Sequence, residues 1–520
     1  MNERPYKKNN PHRFSISIVF GGIGVGIVSG CVTVIYRLLL NHAETLLFSI
    51  INYTKGHAFR IAIWLLILAI LGVIVGKLIA WEGMSSGSGI PQVQGEMQGY
   101  LNQNWWKVLT SKIIGGTLCI LGGLSLGREG PSVQLGAMAG KGLAKVTKQS
   151  TTKERIMITC GAGSGLAAAF NAPLAGVIFS LEEIQKNFNA SILICAITGA
   201  ASADFISKNV FGLSPVFHFQ LEHVLTLKYY WTLILLGIVL GCCGALYNYI
   251  MLKGQDIYGK IPWIKKDYII VIPFLISGIL AYQLPSILAG GHAMIELITN
   301  HRLMMTTMII FLIGKFIFSA ICFGSGAPGG IFFPLLILGA YLGAIFGTIA
   351  TSATALTPDY ITNFIVLAMA GFFTAIVRAP ITGIILIAEM TGTFEHFLSL
   401  VVVVVVSYVI AHLLGSEPIY ESLLGRILAK KGVRQDNYTQ EKVLASFCVG
   451  GNSIALNQKI KDVLWPDHCL IVTIHRGKTE IIAKGSTIVH HGDILVALVD
   501  EEYLGMVTES FQLICGEIQI

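Results

Sequence analysis

Five apolar runs, each long enough to cross a lipid bilayer, constrain this chain more than any other feature. A transmembrane helix needs about 20 apolar residues to cross a hydrocarbon core of roughly 30 Å. The runs are Phe14–Leu40, Ile61–Trp81, Tyr230–Leu252, Met304–Phe323 and Leu398–Leu414. Only 12% of the residues are charged, about half the share in soluble proteins. The sequence therefore predicts an all-α polytopic membrane protein whose helices contact the bilayer. Shorter apolar runs broken by glycine and proline indicate that some helices are tilted or interrupted.

Basic residues flank both ends of this region. They are Arg4, Lys7, Lys8 and Arg13 before the first run, and Lys430, Lys431 and Arg434 after the last. Because positive residues favour the cytoplasmic side, both termini are expected to be cytoplasmic. The flanks account for the net charge of +7, which therefore indicates no nucleic-acid partner. The ten cysteines include no C-x-x-C pair, so neither a disulfide framework nor a metal site is expected.

The segment Gly127–Pro131 places a guanidinium and a carboxylate, Arg128 and Glu129, between two apolar stretches. Its glycines allow close backbone approach, and Pro131 suits the first turn of a helix. A helix that begins inside a membrane directs its free N–H groups and its positive dipole end at what precedes it. The segment therefore predicts an anion site, with the Glu129 carboxylate at the position of the anion.

Two patterns of the first half recur in the second. Residues 127–137 match residues 330–340, which lie 203 positions later; the shared positions are Gly127, Pro131, Leu135, Gly136 and Ala137, with Gly330, Pro334, Leu338, Gly339 and Ala340. Residues 172–182 match residues 379–389, which lie 207 positions later; the shared positions are Ala172, Pro173, Gly176 and Glu182, with Ala379, Pro380, Gly383 and Glu389. Paired helix breaks at matching positions are typical of duplicated transporters and point to the binding site.

Several polar residues of the first half have two interpretations each. Ser88, in the flexible segment Gly83–Pro91, either donates to an anion or caps its own helix, and its spacing favours the cap. Lys112 either snorkels to the membrane surface or lends positive potential to the interior. The basic stretch Lys141–Arg155 is expected to be an exposed loop.

Two further positions leave a functional and an ordinary interpretation open. Glu182 and Glu183 end an apolar segment, where a carboxylate pair is either a solvated helix end or a proton carrier. Tyr420 begins a short amphipathic helix and either directs its hydroxyl inward or anchors the helix at the membrane interface.

From about Ala429 the composition changes to that of a small soluble domain. Polar residues increase, and the short β-type runs Leu470–Ile474 and Ile494–Leu498 follow, separated by turns. We expect three parts: a cytoplasmic N-terminus over 1–13, a transmembrane domain over 14–428, and a cytoplasmic α+β domain over 429–520.

Three loops of this sequence resemble the signature loops of the ClC family of chloride channels and chloride/proton antiporters. They are Gly87, Ser88, Gly89, Ile90 and Pro91; Gly127, Arg128, Glu129, Gly130 and Pro131; and Gly330, Ile331, Phe332, Phe333 and Pro334. The resemblance covers about Phe14 to Gly425. It implies a ClC-type fold of two inverted halves, about 14–219 and 229–425, joined near Gln220–Lys228. It also implies one pore per subunit, a homodimer, and location in a bacterial inner membrane.

The resemblance also assigns roles to individual residues. Chloride, the substrate, would be bound by the hydroxyls of Ser88 and Tyr420 and by the backbone N–H groups of Ile331 and Phe332. Glu129 would be the gating glutamate, which also takes up the external proton. Glu183 falls on the position of the internal proton glutamate of the family's antiporters, so antiport is favoured over a channel. No other cofactor is expected.

The C-terminal domain resembles a different family. Ser453–Leu498, with Arg476-Gly477 and Gly492-Asp493, is similar to the C-terminal ligand-binding domain of TrkA-type potassium-channel regulators. A regulatory domain that binds a small ligand is therefore expected, and no pair of CBS-type repeats is present.

The predicted function is secondary active exchange of chloride for protons, and the protein is not expected to be an enzyme. A chloride channel that is gated by voltage or protons uses the same scaffold and is the alternative. A fluoride transporter is disfavoured because that branch has a different first loop and lacks the tyrosine. A potassium transporter would need a selectivity filter of backbone carbonyl groups, and the sequence contains no T-V-G-Y-G-like motif that could form one. A membrane-embedded enzyme could use Glu182 and Glu183 as acid and base, but no metal motif, nucleophile elbow or histidine partner accompanies them.

Overall fold

A computed structural model describes residues 11–217, 219, 224–260, 268–300, 303–433, 442–477 and 479–516. Arg4, Lys7, Lys8 and Arg434, which were used to predict orientation, lie outside the described residues, as does part of the predicted joint at 220–223. The chain divides into two compact units, Met1–Ile427 and Leu428–Ile520.

The first unit is a multi-pass helical membrane domain. Among the described residues, seven helices are long and apolar enough to span a membrane: Ile16–Thr54, Ala58–Trp81, Ala190–Phe211, Leu227–Gly259, Met305–Gly324, Phe332–Ala353 and Pro358–Val377. Four of the five predicted runs lie on these spans, while the fifth forms a shorter helix, Phe397–Leu413. The last two of the seven spans are 72% and 83% buried by other helices. Three of the spans were not singled out from the sequence as clear apolar runs.

The helices of the two halves follow the same order of long and short segments. The first half contains α1 Pro11–Thr54, α2 Ala58–Trp81, α3 Ile90–Met97, α4 Trp105–Leu121, α5 Glu129–Val146, α6 Thr151–Phe170, α7 Pro173–Phe179 and α8 Ala190–Phe211. The second contains α9 Tyr230–Gly259, α10 Val271–Gln283, α11 His292–Asn300, α12 Met305–Gly324, α13 Phe332–Ala353, α14 Ile361–Val377, α15 Pro380–Thr391 and α16 Phe397–Leu413. Even the single 3₁₀ turn before α3, Gly83–Ser85, has a counterpart before α11, Pro285–Ile287. The duplication therefore extends over eight helices. A last helix, α17, covers Ile419–Lys430.

Glycine permits the closest helix contacts of each half. A Cβ atom on Gly136 of α5 would lie 2.1 Å from the Gly161 carbonyl oxygen of α6. A Cβ atom on Gly343 of α13 would lie 2.4 Å from the Phe364 carbonyl oxygen of α14. Small residues of this kind let helix backbones approach each other closely within a membrane.

Both Ala-Pro pairs are helix breaks. The residue before each pair ends the preceding helix in the left-handed conformation, Asn171 with φ 54° and Arg378 with φ 71°. Because proline lacks an N–H group, it begins the next helix, α7 or α15, rather than continuing the previous one.

The expectation of an exposed loop over Lys141–Arg155 is wrong. Helix α5 continues to Val146 and α6 begins at Thr151, so the connection is short. Lys141 is buried, forms an ion pair with Glu96, and donates to the Gln103 carbonyl oxygen at 2.6 Å. The ammonium group of Lys141 is therefore paired inside the protein. The polar composition of the segment alone does not predict this pairing.

The second unit is a small α+β domain. Its strands are β1 Lys442–Cys448, β2 Cys469–Arg476, β3 Thr479–Ile482 and β4 Ile494–Asp500, followed by helix α18 Leu504–Cys515. The sheet is antiparallel, in the order β1-β4-β2-β3. Phe447 stacks on Phe511 at 4.1 Å between ring centroids and closes the core between sheet and helix.

Candidate functional site

The second and third signature loops meet each other directly. Gly127 donates its backbone N–H to the Gly330 carbonyl oxygen at 2.6 Å, and Gly330 donates to the Gly127 oxygen at 2.8 Å. Helix α5 begins two residues after Gly127, and α13 begins two residues after Gly330. The N-termini of two helices, one from each half, therefore start at one crossing of the backbone.

The first loop joins this crossing. Gly87 donates to the Gly326 carbonyl oxygen at 3.2 Å, and Gly329 donates to the Gly87 oxygen at 3.0 Å. A Cβ atom on Gly130 would lie 2.3 Å from the Ser88 hydroxyl oxygen. The three loops, far apart in sequence, form one site.

Glu129 is the first residue of α5 and is fully buried. Its carboxylate has no partner at normal hydrogen-bond geometry among the described residues, but the backbone N–H groups of Arg128, Glu129 and Phe333 lie close to it. The Arg128 Nε lies 3.7 Å from its Oε1. A Cβ atom on Gly127 would lie 2.5 Å from the other oxygen and 3.0 Å from the Phe333 backbone nitrogen. The carboxylate thus lies beside the N-terminus of α13, where the dipole favours negative charge. Because Gly127 has no side chain, the space that the carboxylate occupies stays open.

A small cavity adjoins Glu129. It is lined in part by Asn41, Glu44, Gly290 and His292, and its volume of about 20 Å³ has room for about one water molecule.

Two buried hydroxyls at the site lack close protein partners. In the part of the chain that the structure describes, neither the Ser88 Oγ nor the Tyr420 Oη has a partner at normal hydrogen-bond distance, and the two hydroxyls interact with each other at longer range. The expectation that Ser88 caps its helix is wrong, because the N-cap of α3 is Gly89, with φ 98°, and it has no side-chain cap. Of the two interpretations of Tyr420, the interface anchor is excluded, because its side chain is fully buried. Buried polar atoms are nearly always paired, so these two hydroxyls are available to a ligand.

Ile331 and Phe332 contribute backbone rather than side-chain groups. Both side chains are buried, and the Phe332 ring packs on Phe170 and Phe373 at centroid distances of 5.4 and 4.7 Å. Ile331 precedes α13 and Phe332 begins it. Because the first N–H groups of a helix have no acceptor within that helix, they are free to bind an anion.

Glu183 lies at a second buried position. Its Oε1 accepts a hydrogen bond from the Gln94 Nε2 at 2.7 Å, and Gln94 also donates to the Glu183 carbonyl oxygen at 3.0 Å. Only 5% of Glu183 is exposed, so the solvated-end interpretation is wrong for this residue. Gln94 belongs to α3, the helix that follows Ser88, so a single short helix connects the two positions.

Glu182, the neighbouring carboxylate, caps a helix. Its oxygens accept from the backbone N–H groups of Ile381 and Thr382, at 3.1 and 2.7 Å, at the start of α15. Its counterpart Glu389 does the same for α7, accepting from Leu174 and Ala175 at 3.1 and 2.8 Å. Each Ala-Pro helix therefore supplies the carboxylate that caps the other.

Two buried lysines occupy matching positions behind the loops. Lys112 donates to the carbonyl oxygens of Ser85 and Gly87 at 2.9 and 2.6 Å, so its ammonium group does not snorkel to the surface. Lys315 donates to those of Ile287 and Ala289 at 2.9 and 3.0 Å. Sequence reasoning missed Lys315, although it lies 203 positions after Lys112, the same offset as that of the signature loops.

The family comparisons cover both units. The model of the family described as "Voltage gated chloride channel" matches residues 71–412, and that of the TrkA-C domain matches residues 444–512. The H(+)/Cl(-) exchange transporter ClcA of Salmonella agona (strain SL483) is 31% identical over 431 residues, which cover 81% of this chain and 90% of that relative. The ClcA exchanger of Vibrio vulnificus (strain YJ016) is 31% identical over 439 residues, 82% of this chain and 93% of that protein.

Solved structures are similar over the same region. The crystal structure of a slow cyanobacterial Cl-/H+ antiporter superposes with a TM-score of 0.75 at 29% identity, covering 80% of this chain and 99% of that one. A eukaryotic CLC transporter superposes with a TM-score of 0.68 at 20% identity, covering 97% of this chain and 90% of the other, which shows a shared fold.

Proposed function

The chain belongs to the family of voltage gated chloride channels, and we propose that it exchanges chloride for protons across a membrane. The observation that carries this proposal is the buried Glu129 carboxylate, which lies beside backbone N–H groups at the start of α5 and α13 without a fully formed hydrogen bond to any described residue. It lies where two helix N-termini and the Ser88 hydroxyl converge. Such a site suits an anion, and a glutamate side chain occupies it in this structure.

We assign chloride binding to the hydroxyls of Ser88 and Tyr420 and to the backbone N–H groups of Ile331 and Phe332. Partial positive charges and hydroxyl donors replace the water around the ion without a full ion pair, so the ion can also leave. The apolar packing of Phe332 keeps the N-terminus of α13 in place.

Coupling follows from competition for one position. The ionised Glu129 carboxylate and a chloride ion repel each other, so chloride displaces the side chain most easily when the side chain takes up a proton. Glu183 exchanges that proton with the internal solution by a route separate from that of the anion. Gln94 orients the Glu183 carboxylate and joins it to the helix that follows Ser88.

Antiport is favoured over a channel for two reasons. A channel needs no buried internal carboxylate, whereas Glu183 is buried and hydrogen-bonded. The similar proteins from Salmonella and Vibrio are named exchange transporters.

We further propose the setting in which the protein works. It forms a homodimer in a bacterial inner membrane, with halves over about 14–219 and 229–425 and with both termini in the cytoplasm. Residues 429–520 form a cytoplasmic regulatory domain of TrkA-C type that binds a small ligand.

The test is a flux measurement on purified protein in liposomes. A chloride gradient is imposed, and external pH is recorded without and with a protonophore. We expect chloride to drive protons against their own gradient until the protonophore collapses it. Chloride flux with no proton movement would identify a channel and contradict the proposal.

A further inference from the structure

A cavity of about 310 Å³ adjoins Glu183. Five charged side chains line it: Glu182, Glu183, Lys186, Arg378 and Glu421. Three of these groups are bound to other parts of the protein. Glu182 caps α15. Glu183 accepts from Gln94, and Arg378 donates to the Ser416 carbonyl oxygen at 2.7 Å.

The remaining two, Lys186 and Glu421, form an ion pair with each other. Among the described residues, the hydrogen bonds and ion pairs recorded for these two side chains are those they make together. The side chains are 42% and 46% exposed. Exposed ion pairs contribute little to stability and are screened by salt, so this pair can break and re-form readily.

The pair connects two segments that matter for transport. Lys186 ends the π-helical segment Ser180–Gln185, which contains Glu183, and its φ is 51°. Glu421 follows Tyr420 in the first turn of α17. Because a helix moves as a rigid body over one turn, a force on the Glu421 side chain also acts on Tyr420.

Other contacts hold α17 and the segment just before it to α9. Asn248 of α9 donates to the Glu417 carbonyl oxygen at 3.1 Å, just before α17 begins. Arg426 forms an ion pair with Asp256 of α9 at 2.6 Å. The Lys186–Glu421 pair differs from these because it leads to the segment of Glu183.

We propose that Lys186 and Glu421 are positioning residues that tie the Tyr420 hydroxyl to the segment of the inner glutamate. Because the pair joins the inner end of the chloride site to the proton site, a movement of Tyr420 favours a matching change at Glu183. The inference rests on the proposed exchange function, and it adds the physical link between the two ion paths on the inner side.

The test compares protons moved per chloride in liposomes for the wild type, Lys186→Met, Glu421→Gln and the charge swap Lys186→Glu/Glu421→Lys. Each single variant is expected to keep its chloride flux and to lower the proton-to-chloride ratio by about two- to fivefold, the shift that an exposed ion pair supports. The charge swap is expected to restore the ratio, which a merely structural role for either side chain would not explain.

Two control variants define the result. Lys145→Met removes an exposed partner from a pair that involves neither segment, Lys145 with Glu154, and should leave the ratio unchanged. Asp256→Asn breaks the other ion pair of α17, and its ratio should stay near that of the wild type. If Asp256→Asn lowers the proton-to-chloride ratio as much as Glu421→Gln does, the effect comes from anchoring α17 in general. That result would overturn the inference.

Unchanged ratios in both single variants, or a swap that fails to restore the ratio, would also overturn it. A wild type that moves no protons overturns the exchange function and this inference together. A coupled wild type with unaffected variants overturns this inference alone. Retained chloride flux in each variant shows that it is folded.

Discussion

The two halves of the membrane domain share a backbone plan but differ in the side chains that serve transport. Glu129 of the first half has Phe332 as its counterpart, at the 203-residue offset, and both begin a helix at the same crossing. Glu183 has Met390 as its counterpart at the 207-residue offset. Ser88 follows Gly87, whose carbonyl oxygen accepts from Lys112. The equivalent residue of the second half is Gly290, which follows the carbonyl bound by Lys315 and has no hydroxyl.

What the halves retain is structural. Lys112 and Lys315 each bind two loop carbonyls, and Glu182 and Glu389 each cap the Ala-Pro helix of the other half. The comparison shows that duplication preserved the groups that position the loops, while the candidate proton-carrying groups lie in the first half alone. The second half contributes backbone N–H groups and the Tyr420 hydroxyl, neutral donors that suit an anion that must bind and leave.

The largest expected effect is on Glu129, for which the second half has no equivalent. Replacing it with Gln or Ala removes the only titratable side chain at the loop crossing, among the described residues, that can enter the anion position. Chloride flux should continue and proton coupling should be lost in the liposome assay. Full coupling in either variant would show that the asymmetry between Glu129 and Phe332 is not the source of exchange.

Glu183→Gln should have the next largest effect. The amide keeps the shape of the side chain but cannot carry a proton, so passive chloride movement remains and uphill proton transport stops. Glu182→Gln is the matched control, because it changes the adjacent carboxylate, which caps a helix. Uphill proton pumping by Glu183→Gln would exclude Glu183 from the proton route.

Lys112→Met and Lys315→Met compare equivalent lysines. Lys112 holds the loop that bears Ser88, so its loss should weaken chloride binding by about tenfold, or about 1.4 kcal/mol. Lys315 holds the equivalent loop without a hydroxyl, so its loss should change chloride affinity by less than about twofold. Titration calorimetry with chloride checks both values. Equal losses of affinity would mean that the lysines act through the general positive potential rather than through the Ser88 loop.

Glu182→Gln and Glu389→Gln should lower stability by similar amounts. Each removes a charged acceptor from two N–H groups at a helix start, at an expected cost of about 1–2 kcal/mol. Thermal unfolding in detergent measures the loss, and the liposome assay should show that proton coupling remains. A loss confined to one variant would contradict the reciprocal capping of the two halves.

The last expected effect is confined to the C-terminal unit, where Arg476 forms an ion pair with the buried Asp493. Arg476 donates to both oxygens of Asp493, at 2.8 and 2.7 Å. Burial alone would raise the pKa of Asp493, but the Arg476 guanidinium and the His490 backbone N–H lower that pKa below its usual range.

Because the pKa of Asp493 is lower in the folded state than the ~3.9 of an unfolded chain, its contribution is complete above that pH and is lost as pH falls through the folded value. Asp493→Asn should therefore reduce stability by about 1–2 kcal/mol at neutral pH and by less in acid. Hydrogen exchange in β2 and β4 measures this loss. A difference from the wild type that grows in acid would contradict the assignment.

Much of the plan of the molecule follows from local features of the sequence. Hydropathy located four of the seven spans, the 203-residue offset revealed the duplication, and the three loops indicated which residues to examine. Two of the four described strands of the C-terminal unit, Cys469–Arg476 and Ile494–Asp500, were also predicted in part, as Leu470–Ile474 and Ile494–Leu498, whereas Lys442–Cys448 and Thr479–Ile482 were not. These features are local, because hydropathy, glycine and proline act within a few residues of their own position. Spans such as Phe332–Ala353, which follow a glycine-rich break, were not singled out because the predicted spans were continuous apolar runs.

The partners of the polar groups, in contrast, depend on how distant segments pack together. The choice between a capping and a free Ser88, the different partners of Glu182 and Glu183, and the burial of Lys141 all depend on distant residues. Glu182 accepts hydrogen bonds from the start of a helix about 200 residues away in sequence, and Gln94 donates to Glu183 across 89 residues. The fold decides which groups lie beside a buried polar atom and therefore whether that atom is hydrogen-bonded. A local stretch of sequence does not contain the identity of those neighbours.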